Sequence, residues 1–216
     1  MEIEWAATLT DDPHAPHRFG FLQIRPLTLT GNGRALAPAD LDDPAALVAT
    51  EIALGNGAYP AIHDVVYVAP GRFDRGATMA VAAEVAQFNT RLKQAGRPYL
   101  LIGPGRWGSS DRWLGIPVRW EQISGAQVIV ETDLTDFKVT PSEGTHFFQN
   151  LTSFQVGYLT VNEGRPHTVC HWERLESLPA VTEGRYVRHV RLEAPLEVVI
   201  DGKSRRGIVR FSGPES

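Results

Sequence analysis

The chain has 216 residues, 43% of them apolar, a formal net charge of −4 and one cysteine. That is enough apolar material for one good core or two small ones, and the slight acidic excess excludes an electrostatic grip on nucleic acid or an anionic membrane. No apolar run approaches the roughly 20 residues that span a bilayer, the start Met1-Glu2-Ile3-Glu4 is no basic-then-apolar leader, and Cys170 has no partner for an internal disulfide. These features predict a cytoplasmic protein.

Residues 2–9 and 19–26 read as two strands around the polar "TDDPHAPHRFG", a hairpin with a long loop. Residues 28–44, "TLTGNGRALAPADLDDP", mix Gly, Pro and Asp without periodicity and predict a linker. The domain reading is therefore 1–30, a linker over 31–45, and a larger domain over 46–216. A weak segment at 47–54 and a strand at 65–68 follow. Val81, Val85, Phe88 and Leu92 fall at i, i+4, i+7 and i+11, which predicts a helix over 77–95 that stops at Gly96. Short apolar runs at 99–102 and 127–130 have the character of buried strands. Residues 142–154 read as helix, 156–161 as strand, and "EVVIDGKSRRGIVRF" as a closing hairpin. Strands interleaved with helices and closed by further strands make the larger domain α/β, with helices packed on a mixed sheet.

The stretch "LLIGPGRWGSSDRWLGIPVRW" contains Gly103-Pro104-Gly105-Arg106-Trp107-Gly108, which spells G-x-G-x-x-G after an apolar run. A dinucleotide fingerprint also needs a helix whose N-terminal amides face the pyrophosphate, and an acidic residue after the next strand. Glu131 stands where that carboxylate belongs. Gly115 and Pro117 leave no room for the helix, so a dinucleotide-binding unit is the least favoured reading. Two others remain: a tight structural turn, or a ligand-binding loop built on Arg106, Trp107, Ser109, Ser110 and Asp111.

In the first hairpin, alternation puts Gln23 and Arg25 on one face of a strand, and pairing with the strand before it can bring Glu4 alongside. A carboxylate and an amide oxygen are hard ligands suited to Mg²⁺, and an arginine fork binds phosphate oxygens. The alternative is three solvated polar residues on an amphipathic hairpin. The pair "IEWA" and "LQIRP" resembles the closing hairpin of the ATP-grasp domain of phosphoenolpyruvate synthases and pyruvate phosphate dikinases. The resemblance implies Mg²⁺ on Glu4 and Gln23 and ATP phosphates on Arg25. Glu2 replaces the family's Asp, and the connecting loop is longer, with His14 and His17 in the excess. About 26 residues are covered, so the resemblance implies an upstream ATP-grasp domain in the full-length protein, with this chain as a C-terminal part that is inactive alone.

The same family has a swivelling domain whose histidine takes phosphate from ATP. Here "EGTHFFQNLTSFQVGYLTV" carries Gly144, Thr145 and His146 in comparable order before a buried strand, and the closing "EVVIDGKSRRGIV" resembles that domain's last hairpin. The resemblance implies a phosphohistidine-like fold over 46–216, His146 as phosphoryl carrier and Thr145 as a phosphate contact or helix cap. A neutral imidazole is a nucleophile near pH 7, and a helix N-terminus favours a phosphate. Phe147 and Phe148 replace two small residues of the family, and Thr152 stands in place of its arginine. The Gly/Trp stretch and "HFFQNLTSF" together resemble a bacterial group of phosphoenolpyruvate synthase-like proteins that lack the pyruvate-binding barrel.

The implied function is ATP- and Mg²⁺-dependent phosphoryl transfer to a small-molecule acceptor, a kinase-type transferase activity related to pyruvate and phosphoenolpyruvate chemistry. The alternative is a ligand-binding or docking module without chemistry. Residues 167–171, "HTVCH", offer metal ligands, but strand alternation turns His171 away from Cys170. Lys203, Arg205, Arg206 and Arg210 read as a wet surface.

Overall fold

The computed structural model describes residues 2–12, 16–25, 34–109, 111, 113–133, 151 and 153–212, with the backbone alone at 2, 4, 24 and 25. The chain divides into two compact units, Met1–Thr30 and Gly31–Ser216. The first is an antiparallel hairpin of β1 (Glu2–Thr8) and β2 (Arg18–Arg25). Its register pairs Glu2 with Arg25, Ile3 with Ile24 and Glu4 with Gln23, and then shifts between Glu4 and Trp5. Trp5 and Phe19 lie 5.2 Å apart, and Phe21 meets Phe19 edge-on, yet all three rings are exposed. Two strands alone bury too little to be independently stable, and this pair leaves its aromatic surface in water.

The second unit is mixed α/β. Its elements in order are β3 (Ala46–Thr50), β4 (Ala53–Leu54), β5 (Gly57–Ala58), β6 (Ile62–Val68), α1 (Thr78–Gln94), β7 (Tyr99–Pro104), β8 (Arg106–Trp107), β9 (Gly115–Ile116), β10 (Ala126–Thr132) and β11 (Gly157–Val161). There follow β12 (Val169–Cys170), α2 (Trp172–Ser177), β13 (Ala180–Glu183), β14 (Val187–Asp201) and β15 (Arg206–Arg210). The sheet runs β12-β3-β15-β14-β6-β7-β10-β11-β4. Strands β6, β7, β10 and β11 are parallel to one another, whereas β3, β15, β14 and β6 pair antiparallel. Because β3 and β4 belong to one stretch of chain yet pair at opposite ends of this order, the sheet curls back on itself. Thr160 N–H donates to the Ile52 carbonyl at 2.9 Å, and Thr50 Oγ1 donates to the Thr160 carbonyl at 2.6 Å, across the seam.

Strand alternation builds two cores from one sheet. Leu100, Ile102, Val128, Val130, Leu159 and Val209 face the inside of the curl, which Leu175 of α2 also enters. Tyr99, Leu101 and Ile129 face outward and meet Val81, Val85, Phe88 and Leu92, the apolar stripe of α1. The Glu84 carboxylate on that helix accepts N–H bonds from Arg185, Tyr186 and Val187 at 2.9–3.0 Å and ties α1 to the start of β14.

The segment expected as a linker, 31–45, is packed over its described part. Leu36 and Leu41 are buried against Ala46, Ala49, Val199 and Ile208, and the Leu36 N–H donates to Asp201 at 3.2 Å. Two leucines set among Gly, Pro and Asp supply the apolar area that a free linker lacks. The weak segment at 47–54 is two strands that join the ends of the sheet. The helix expected over 142–154 lies almost wholly outside the described residues.

Candidate functional site

Strands β7, β10 and β11 end side by side, and in open parallel sheets ligand sites gather at such carboxyl ends. The Gly/Trp stretch leaves β7 at this edge and folds into the small β8–β9 ladder, in which Arg106 pairs with Gly115 and Trp107 with Ile116. Its glycines serve backbone contact. Gly105 has φ of +76°, and a Cβ there would come within 2.9 Å of both the Leu114 carbonyl oxygen and the Gly115 Cα. A Cβ at Gly115 would fall on the backbone of Arg106.

The amides of this turn are already used. Gly105 N–H donates to the Thr132 carbonyl at 2.9 Å, Arg106 N–H to Leu114 at 3.0 Å, and Gly108 N–H to Ile116 at 2.9 Å. Trp107 N–H donates to Glu131 Oε1 at 2.8 Å, and its indole N–H to the Val130 carbonyl at 3.1 Å. No α-helix stands directly after Gly108 among the described residues. Among the described residues both requirements of the dinucleotide reading are missing: the Gly105, Arg106, Trp107 and Gly108 amides are bonded within the protein, and no helix dipole follows the turn. Glu131 is likewise no ribose ligand: it is fully buried and also accepts a hydrogen bond from the Tyr158 hydroxyl. A buried carboxylate demands such donors, and here it fixes the turn to β10 and β11.

Arg106, Trp107, Ser109 and Asp111 therefore stand together on one braced turn. Trp107 is buried and Arg106 half-buried, while the Ser109 hydroxyl donates to the Asp111 carbonyl at 2.8 Å and Asp111 Oδ1 accepts from Trp113 N–H at 2.9 Å. Next to the end of β10, Asn162 donates to Asp133 Oδ1 at 2.8 Å. Ser110, Thr145 and His146 lie outside the described residues.

Glu4, Gln23 and Arg25 belong to the hairpin unit. Its register sets Glu4 opposite Gln23, an acid and an amide whose oxygens are a donor set of the kind Mg²⁺ takes, and Glu2 opposite Arg25. The side chains of Glu4 and Arg25 lie outside those described, and Gln23 is exposed. Among the described residues no group of three His, Cys, Asp or Glu side chains could hold a metal ion. His167 pairs instead with Asp42 and His171 with Glu173, each at 2.8 Å. Burial pushes the Cys170 thiol well above its ordinary value. His14 lies outside the described residues, and His17 accepts from Thr10 N–H at 3.2 Å. Of the basic residues near the last hairpin, Arg210 bonds Glu197 and Asp43, and Arg206 reaches Glu51. Arg206 and Arg210 of that expected wet patch are thus held in ion pairs.

One polar cluster escaped the sequence reading. Asp64 on β6, 2% exposed, receives Arg97 Nε at 2.8 Å and a second bond from Arg97 Nη2, together with His189 Nε2 of β14 at 2.7 Å. Burial pushes the Asp64 carboxyl up, but the His189 and Arg97 hydrogen bonds and charges outweigh it and hold the group below its ordinary range. The available signal was an Asp inside "IHDVVYV", a strand otherwise apolar enough to be buried on both faces.

The chain matches no known protein family, no curated protein and no solved structure. No helix among the described residues is long and apolar enough to cross a membrane.

Proposed function

We propose that this chain is the C-terminal part of an ATP-dependent phosphotransferase resembling phosphoenolpyruvate synthase. Its hairpin closes an ATP-grasp nucleotide site, and its larger unit is a phosphohistidine-type swivelling domain. The observation that carries the reading is the hairpin register, which pairs Glu4 of "IEWA" with Gln23 of "LQIRP". In this proposal Glu4 and Gln23 hold Mg²⁺, which neutralises and orients the phosphates of ATP, and Arg25 binds a phosphate through its guanidinium fork. The exposed Trp5, Phe19 and Phe21 are the surface on which the rest of an ATP-grasp body would close.

The larger unit supports the reading by its layers: parallel strands, an antiparallel continuation of the same sheet, and α1 packed outside. In this proposal His146 is the phosphoryl carrier, as the resemblance of "EGTHFFQNLTSF" to the family's carrier segment implies. His146 takes the phosphoryl group on a ring nitrogen, Thr145 contacts the phosphate, and the acceptor is a small molecule. Phe147, Phe148 and Thr152, where the family has smaller residues and an arginine, favour a second reading in which the same edge binds a ligand without turnover.

Equilibrium binding of Mg·ATP to the full-length protein tests the nucleotide half. Arg25→Ala is expected to weaken binding about ten-fold or more, the worth of one charge-assisted contact. Unchanged affinity in Arg25→Ala and Glu4→Gln would contradict it.

A further inference from the structure

The Asp64–His189 cluster lies at the opposite end of the parallel strands from the Gly/Trp turn, and it opens onto a cavity of about 190 Å³ between α1 and β13. Phe88, Arg91, Arg97, Thr182 and His189 line it. A water occupies about 30 Å³, so the space admits a tetrahedral oxyanion with some solvent. His189 is 4% exposed, and Asp64 fixes the direction of its ring. An ionised carboxylate only accepts, so Nε2 carries the proton that bonds Asp64, and Nδ1 is the ring's second polar atom. Nδ1 makes no hydrogen bond among the described residues.

The cations at the cavity are placed differently. Arg97 commits Nε and Nη2 to Asp64, which cancels the one buried negative charge. Arg91 lies over the Phe88 ring at 5.8 Å and makes no ion pair among the described residues. Arg191, 3.8 Å from Asp64 and exposed, adds a third positive charge nearby. The negative end of the α1 dipole points here too, but the last carbonyls are occupied: Ala95, Gly96 and Arg97 N–H donate to Arg91, Lys93 and Leu92.

We infer that this cavity is a phosphate site, taking inorganic phosphate or the phosphate of a small phosphomonoester. Arg91 and Arg97 donate to the negative oxygens, and His189 Nδ1 meets a remaining one. A phosphate suits this set, because guanidinium forks match its oxygens. The site is independent of the reading proposed for Glu4, Arg25 and His146.

Titration with inorganic phosphate at pH 7, followed by the NMR signals of the His189 ring and the Arg91 guanidinium, tests it. The expected result is saturable binding on the order of millimolar, about ten-fold weaker in Arg91→Ala and partly restored in Arg91→Lys. Arg91 is exposed, so these variants keep the fold. Glycerol 3-phosphate tighter than phosphate would support an organic ester as ligand, and weaker would support free phosphate. Two results would overturn the inference: no response of either residue, or the same affinity in Arg91→Ala.

Discussion

The two ends of the parallel strands use buried carboxylates in opposite ways. At the carboxyl end, Glu131 takes the Trp107 amide and the Tyr158 hydroxyl and locks a glycine turn whose Gly105, Arg106 and Gly108 amides are bonded to backbone. At the amino end, Asp64 orients His189 and Arg97 and leaves their outer atoms facing a cavity. A carboxylate that accepts from backbone and a phenol makes a wall, whereas one that accepts from a histidine and an arginine presents chemistry on the far side of those groups. The motif with the stronger ligand signature in sequence is thus the braced one.

This contrast can be broken by mutation, and thermal or urea unfolding reads the outcome. Trp107→Ala empties a fully buried site and removes the indole N–H bond to the Val130 carbonyl, and is expected to destabilise the larger unit by about 3–5 kcal/mol. Gly115→Ala drives a methyl into the Arg106 backbone and is expected to cost about 3 kcal/mol, without touching any ligand group. Asp64→Asn removes the anion from between Arg97 and His189. Arg97 is partly exposed, so solvent softens the loss to about 2 kcal/mol. Asp111→Ala loses only an exposed turn bond and is expected to change stability by less than about 1 kcal/mol. If Asp111→Ala proved as damaging as Trp107→Ala, the turn would not be braced from beneath.

Asp64 also predicts a pH dependence. Its folded pKa lies below the unfolded value of about 3.9, so its contribution is complete above that pH and is lost as the pH falls through the folded value. Asp64→Asn should therefore be less stable than the wild type at neutral pH, with the difference shrinking in acid. A gap that widens below about pH 4 would reverse the sign and contradict the assignment.

Periodic elements were legible in the sequence. The stripe Val81-Val85-Phe88-Leu92 gave α1 to within about a residue at each end, and alternation on either side of a polar turn gave the pairing of β14 with β15. The closure of the sheet was not legible, because it depends on Ala46–Thr50 and Ala53–Leu54 pairing with strands more than a hundred residues away, and no local pattern encodes that. Glycine composition misdirected twice. In the Gly/Trp turn it imitated a phosphate loop, and around Leu36 and Leu41 it hid a packed segment. Of the site, the juxtaposition of Glu4 with Gln23 followed from hairpin pairing, but Asp64 and His189 meet only after β6 and β14 pair. The pairing lies 125 positions apart in sequence.

Phosphoryl transfer to His146 is the claim on which the proposed function stands, and labelling tests it most directly. The full-length protein, incubated with Mg²⁺ and ATP labelled at the β or γ phosphate, is expected to acquire acid-labile, base-stable label. His146→Ala should abolish that label while leaving the unfolding transition in place. A protein that binds Mg·ATP yet takes no label, or one that keeps its label in His146→Ala, would contradict the account.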